Sequence, residues 1–247
     1  MRYTTKDTFV LSAAGCAGTD PDSLESIMAG NEAGAGGGCI TVDLTADGIA
    51  VLCSRGGFQV ADGFLDLKEH TYFELRSAVP KIVTVGQAIA LAKCCPAKLA
   101  IMLGSAAACA AVRIALSTAD MLDNAYFYGY SLIEAARMKA RYPMLHVVGD
   151  LSEAVHLPSA VARAARETGL FGLRTRPQHI TPELVQECRM ADLFLISDET
   201  DDIDELERLI GLGVNFIETS RPDRAYSFLP ARPPAEPSDD EEDTWRR

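Results

Sequence analysis

Short apolar runs separated by helix-patterned segments recur along nearly the whole chain. This alternation constrains the fold more than any other feature. Phe9–Ser12, Cys39–Leu44, Ile49–Cys53, Leu99–Leu103, Ala125–Tyr128, Met144–Val148, Leu170–Leu173, Leu193–Ile196 and Val214–Glu218 are almost continuously apolar. Such runs suit parallel strands covered on both faces. Between them lie helix signals. Asp20-Pro21 predicts a helix start with Asp as cap and Pro at the first position, and Leu24, Ile27 and Met28 as its apolar face. Val85–Ala92 and Ser105–Ser117 carry helical spacing, and Ser131–Glu134 fits a capping box. Further helices are predicted from about Ser152, from Thr181-Pro182, and over Asp201–Leu206. The last has a stripe of Ile203, Leu206 and Ile210 and is stopped by Gly211 and Gly213. About eight strand–helix units in about 220 residues predict a single-domain (β/α)8 TIM barrel, a fold of about 250 residues. An open doubly wound sheet is the alternative. It usually has fewer strands, and no glycine-rich phosphate loop follows the first strand here.

The barrel is expected to span residues 1–229. From about Pro230 the composition turns to Pro, Ser, Asp and Glu, with the unbroken acidic run Asp239–Asp243 and the only tryptophan, Trp245. Such a segment buries too little to order itself, so 230–247 is expected to be a disordered acidic tail.

Charge narrows the partners. With 35 acidic and 23 basic residues, the net charge is −12. That field repels nucleic-acid backbones, but it leaves room for a small phosphate-containing ligand in a local basic pocket. No run of eighteen apolar residues exists to span a bilayer, and Met1–Lys6 lacks a secretory pattern. The seven cysteines form no CxxC pair and sit mostly in apolar stretches. They read as reduced, packed thiols of a cytoplasmic protein. The adjacent pair Cys94-Cys95 reads as a helix end, with a redox pair as the alternative.

Several segments, taken in order over residues 8 to 224, resemble the glycerophosphodiester phosphodiesterase family. Ile40–Gly48 is similar to its strand-and-turn motif ending in Asp-Gly, and Ile49–Ser54 to the strand that ends in its His-Asp pair. Thr71–Leu75 and Ile82–Ala88 resemble two further segments. The strongest likeness is Ile196–Asp198 followed by Leu212–Asp223. The resemblance implies a (β/α)8 barrel, phosphoric diester hydrolysis in lipid metabolism, and a divalent cation such as Mg²⁺ or Ca²⁺ if the protein is active.

The positions that the resemblance marks as catalytic are nearly all substituted. The family's His-Arg-Gly falls at Ala13-Ala14-Gly15, and its metal-binding Glu-x-Asp at Thr41-Val42-Asp43. Its second histidine falls at Cys53, its Glu-x-Lys at Met102-Leu103-Gly104, and its aromatic Trp near Ile196. Of these polar groups only Asp43 remains. Each lost acid–base group is worth about 10²–10⁴-fold in rate. A hard cation wants about six to eight oxygens, which Asp43 with Thr41 and Met102 does not supply. No cofactor is therefore expected. The four histidines do not restore the chemistry: His70 lies on a surface-like segment, His146 in an apolar strand, His156 on a helix face and His179 ahead of a cap.

Barrel sites gather at the C-terminal ends of strands. Independently of the family, those ends offer Cys53, Ser54 and Arg55; Tyr128 and Tyr130; Asp150; Arg174 and Arg176; Asp198 and Glu199; and Glu218, Thr219 and Ser220. Arg55, Arg174 and Arg176 are candidates to hold an anion. Asp43, Asp198 and Glu218 are candidates to hold a cation if they converge. Three readings follow: a catalytically degenerate family member with a ligand-binding, regulatory or scaffold role; an active phosphodiesterase with a rebuilt site; and an unrelated barrel enzyme.

Overall fold

The computed structural model describes residues 8–95 and 97–229. Eight parallel strands form the barrel: β1 (Phe9–Ser12), β2 (Gly37–Leu44), β6 (Lys98–Leu103), β7 (Ala125–Tyr128), β8 (Val148–Asp150), β9 (Gly172–Thr175), β10 (Phe194–Ser197) and β11 (Phe216–Thr219). They pair in the order β7-β6-β2-β1-β11-β10-β9-β8. Parallel bridges Phe127–Val147 and Ser131–Asp150 join the two outer strands and close the ring. The expected (β/α)8 barrel is therefore the observed fold. The acidic tail, with Trp245, lies outside the described residues.

One apolar run is not a stave. Ala50–Leu52 (β3) folds back antiparallel on β2, with Asp43 opposite Val51. The turn Thr45–Ile49 makes this reversal: Thr45 N donates to Ile49 O, and Gly48 takes the left-handed backbone that a tight turn needs. A second hairpin, β4 (Gly57–Val60) and β5 (Gly63–Asp66), follows and overhangs the same end of the barrel.

The helices are α1 (Leu24–Glu32), α2 (Tyr72–Ala78), α3 (Val85–Cys94), α4 (Ala108–Thr118), α5 (Leu132–Arg141), α6 (Pro158–Glu167), α7 (Pro182–Met190), α8 (Ile203–Leu212) and α9 (Pro222–Ala225). Capping boxes at Thr71/Glu74, Thr84/Gln87 and Ser131/Glu134 start α2, α3 and α5. Several expected boundaries move: β8 starts at Val148, so His146 lies ahead of it and not inside a strand, and α4 starts at Ala108 and not at Ser105. Three further shifts have a clear local reason. Helix α1 is capped by Ser23, whose hydroxyl accepts from Ser26 N, because Asp20 is spent on a turn that accepts from Asp22 N. Met28 consequently faces solvent. Helix α6 starts at Pro158 and not near Ser152, since a proline seven residues into a helix would clash with the preceding turn. His156 thus lies in an exposed loop beyond β8. In α8 the buried residues are Leu206 and Leu209, while Ile203 is exposed; Gly211 is helical, and Gly213 alone makes the left-handed cap.

Along each stave, alternate residues face inward. Phe9, Tyr126, Phe194 and Phe216 fill the barrel's lower interior, with Phe171 packed against them. The Phe171 and Phe194 rings stack at 4.4 Å, and the Tyr126 and Phe216 rings meet at 5.5 Å. Val10, Ile40, Ile101, Phe127, Leu195 and Ile217, on the other parity, bury against the helices.

Candidate functional site

The inward parity that carries aromatics below carries polar groups at the C-terminal ends. Two residues after Phe216 comes Glu218, two after Gly172 comes Arg174, two after Val148 comes Asp150, and two after Tyr126 comes Tyr128. These converge. Arg174 donates through Nε to Glu218 Oε1 at 3.3 Å and through Nη2 to Glu218 Oε2 at 3.0 Å. Its Nη1 reaches Asp150 Oδ2 at 3.4 Å, and Nη2 also donates to Asp198 Oδ1. Its guanidinium lies over the Tyr128 ring, 4.7 Å from the centroid. One half-buried cation therefore ties together the ends of β8, β9, β10 and β11 and stacks on β7.

Burial and charge set the protonation of this cluster. Burial works to lower the Arg174 pKa, but the three carboxylates, Glu218 foremost, outweigh it and hold the guanidinium firmly charged. Burial pushes the Glu218 carboxyl up, and Arg174 only partly offsets this. Burial likewise raises Asp150 to about 6 against the pull of Arg174. Burial also drives Tyr126, Tyr128 and Cys39 well above their ordinary values.

Asp150 has a measurable consequence. Its folded pKa lies above the unfolded value, so between the two the folded state binds a proton that the unfolded chain does not. Stability from this group therefore rises as pH falls from 7 towards 4, by up to about 3 kcal/mol. Asp150→Asn removes that term while Arg174 keeps two carboxylates. Thermal melts should show the variant more stable than the parent at pH 7.5 by several degrees, and the difference vanishing near pH 4.5. A variant that melts lower at pH 7.5 would mean that the Asp150–Arg174 pair outweighs the desolvation.

The other half of the mouth is a cleft of about 370 Å³ between the ends of β2 and β6 and the β4–β5 hairpin. It is lined by Thr41, Asp43, Cys53, Ser54, Arg55, Phe64, Asp66, Lys68 and Met102 among others. Asp43 is buried and committed: its Oδ1 accepts from Ser105 Oγ at 2.5 Å and from Leu44 N at 2.8 Å. A Cβ on Gly104 would come within 2.6 Å of Asp43 Oδ2, so this arrangement admits no lysine there. Cys53 is buried beside Gly57 O, and burial raises its thiol pKa, which opposes a nucleophilic role. Ala13 is buried and Ala14 exposed at the end of β1.

The sequence-derived candidates thus divide. Arg174, Asp198 and Glu218 come together, with Asp150 and Tyr128. Asp198 and Glu218 meet on Arg174, whereas Asp43 bonds Ser105 and Leu44 N, so the convergence that a three-carboxylate cation site required is not seen. Among the described residues no group of three or more His, Cys, Asp or Glu side chains is arranged to hold a metal ion. Arg174 is already saturated by carboxylates and is no anion receptor. Arg176 lies outside this network, exposed at the turn Pro177–His179. Arg55, exposed at the cleft, remains the arginine suited to an anion. Asp66, at the end of β5, and Lys68, in the turn after it, were missed because this region reads as a polar stretch; the Asp62-Gly63 dipeptide at the hairpin's Ala61-Asp62 loop was its signal. Ser105 and Cys39 were also missed, although Cys39 shares the inward parity of Thr41 and Asp43.

No protein-family model matches the sequence, and no curated protein matches it. Solved structures do. A glycerophosphodiester phosphodiesterase from Parabacteroides distasonis superposes with a TM-score of 0.74 at 22% identity, over 90% of this chain and 96% of that one. The one from Thermotoga maritima gives 0.76 at 16% identity, over 90% and 98%. An Oleispira antarctica phosphodiesterase, in complex with the product sn-glycerol-3-phosphate, gives 0.72 at 19% identity, over 89% and 96%. The chain is a (β/α)8 barrel, and in particular its fold is similar to that of the solved glycerophosphodiester phosphodiesterases. Among the described residues no helix is long and apolar enough to cross a membrane.

Proposed function

We propose that this chain is a divergent, catalytically degenerate member of the glycerophosphodiester phosphodiesterase family, acting as a ligand-binding, regulatory or scaffold protein of lipid metabolism. The observation that carries the proposal is the state of Asp43. It is the one polar group left at the positions matched to the family's machinery, it is tied to Ser105 and Leu44 N, and among the described residues no group of three or more metal-ligating side chains includes it. This donor set does not fit a hard divalent cation. The opposite half-mouth holds three carboxylates on one arginine, a field that disfavours a phosphodiester there. The Arg55–Lys68 cleft is the place for a small phosphate-containing ligand. Seven free thiols support a cytoplasmic setting.

The test is hydrolysis of glycerophosphocholine and bis(4-nitrophenyl) phosphate with Mg²⁺, Ca²⁺ or Mn²⁺. The expected result is no turnover above background, unchanged by Asp43→Ala. Robust metal-dependent turnover abolished by Asp43→Ala would overturn the reading and establish a rebuilt phosphoric diester hydrolase.

A further inference from the structure

We infer that Cys94 and Cys95 form a vicinal dithiol that hydroperoxides oxidise reversibly and that reshapes the barrel's N-terminal face. Five of the seven thiols are buried, whereas Cys94 is exposed and Cys95 half-buried. Accessible thiol chemistry therefore falls on two adjacent residues. Cys94 is the last residue of α3, and Cys95 caps it by donating its N–H to Leu91 O at 3.0 Å. Cys95 also lines a cavity of about 610 Å³ at the barrel end opposite the mouth, with Phe9, Lys93, Lys98, Met121 and Tyr226.

The chemistry balances with one hydroperoxide. The Cys94 sulfur attacks the O–O bond; an S–O bond forms, O–O breaks, and water or an alcohol leaves. The Cys95 sulfur then attacks Cys94 sulfur; S–S forms, S–O breaks, and the oxygen leaves as water. Two thiols lose two electrons and two protons in all, and the peroxide is reduced. Adjacent Cα atoms are about 3.8 Å apart, closer than the ~4.4 Å lower limit of relaxed disulfides. The bond is strained and readily reduced, which suits a reversible switch better than a permanent staple. The small ring is incompatible with helical backbone at this junction, so the Cys95 N–H to Leu91 O bond is lost. The end of α3 carries Lys93, whose Nζ donates to Ala119 O after α4, so the disturbance reaches the cavity wall.

The full chain is oxidised with hydrogen peroxide, its remaining thiols blocked with maleimide, and the tryptic peptide Cys94–Lys98, which holds both thiols and no other, is weighed. The expected result is that peptide unlabelled and lighter by two hydrogens, restored to double labelling by dithiothreitol, with faster amide exchange at Cys95 in the oxidised protein. Cys94→Ser, at an exposed helix end, should fold and leave Cys95 fully labelled after peroxide. Double labelling after oxidation, a peroxide-induced dimer linked through Cys94, or a bridge with unchanged exchange at Cys95 would each overturn the inference.

Discussion

Replacing Arg174 by methionine is expected to lower stability by about 3–5 kcal/mol, because it leaves the buried Glu218 and the half-buried Asp150 without their cation. For a domain of this size each kcal/mol moves the melting temperature by about 2–4 °C, so a drop of roughly 10 °C is expected at pH 7.5. Glu218 dominates the loss. It is fully enclosed at the end of β11, and Arg174 holds it with two hydrogen bonds. Asp198 is partly exposed and can rehydrate, so it contributes less. Two further results identify the mechanism. The loss should shrink at acid pH, where an unpaired Glu218 protonates. The double variant Arg174→Met, Glu218→Gln should recover more than half of it, since no buried charge is then stranded. A single variant that melts within a degree or two of the parent would show that water enters the mouth and screens the cluster.

Phe216→Ala should cost a comparable 3–5 kcal/mol for a different reason. Phe216 is fully buried at the centre of the barrel's aromatic layer, 5.5 Å from both Phe9 and Tyr126 and 5.7 Å from Phe194, ring to ring. Its neighbours come from separate staves whose backbones are fixed by strand pairing, so they collapse little into the void. The loss should be independent of pH, unlike that of Arg174→Met. Phe73→Ala is the control: Phe73 is 79% exposed on α2, and its removal should change stability by less than about 0.5 kcal/mol. Chemical denaturation of the three proteins decides the matter; equal losses at Phe216 and Phe73 would mean that the interior ring layer is not the barrel's core.

Much of this molecule is local and therefore legible in the sequence. Strand runs are apolar on both parities because both faces of a barrel stave are covered. Capping residues such as Thr71, Thr84 and Ser131 act on amides three positions away, so their effect needs no tertiary knowledge. That Ala13, Cys53 and Gly104 stand at the positions matched by the family resemblance is also plain in the sequence, because side-chain identity does not depend on the fold. Where a local signal misled, a neighbouring one explains it: Asp20 reads as the cap, but its carboxylate accepts from Asp22 N and Ser23 caps α1 instead.

The mouth was legible only as a roster of strand ends. That Asp150, Asp198 and Glu218 meet on Arg174, while Asp43 turns to Ser105, depends on strand order and register. These place β8 to β11 side by side and leave β2 on the other side of the ring. A sequence lists the charges along one dimension, but Coulomb energy depends on separation in three. In a buried site a few ångströms decide whether a carboxylate neutralises an arginine or completes a metal site. Residues 24 and 44 positions apart come within hydrogen-bond distance of Arg174 because strand pairing sets β8, β9, β10 and β11 in consecutive order.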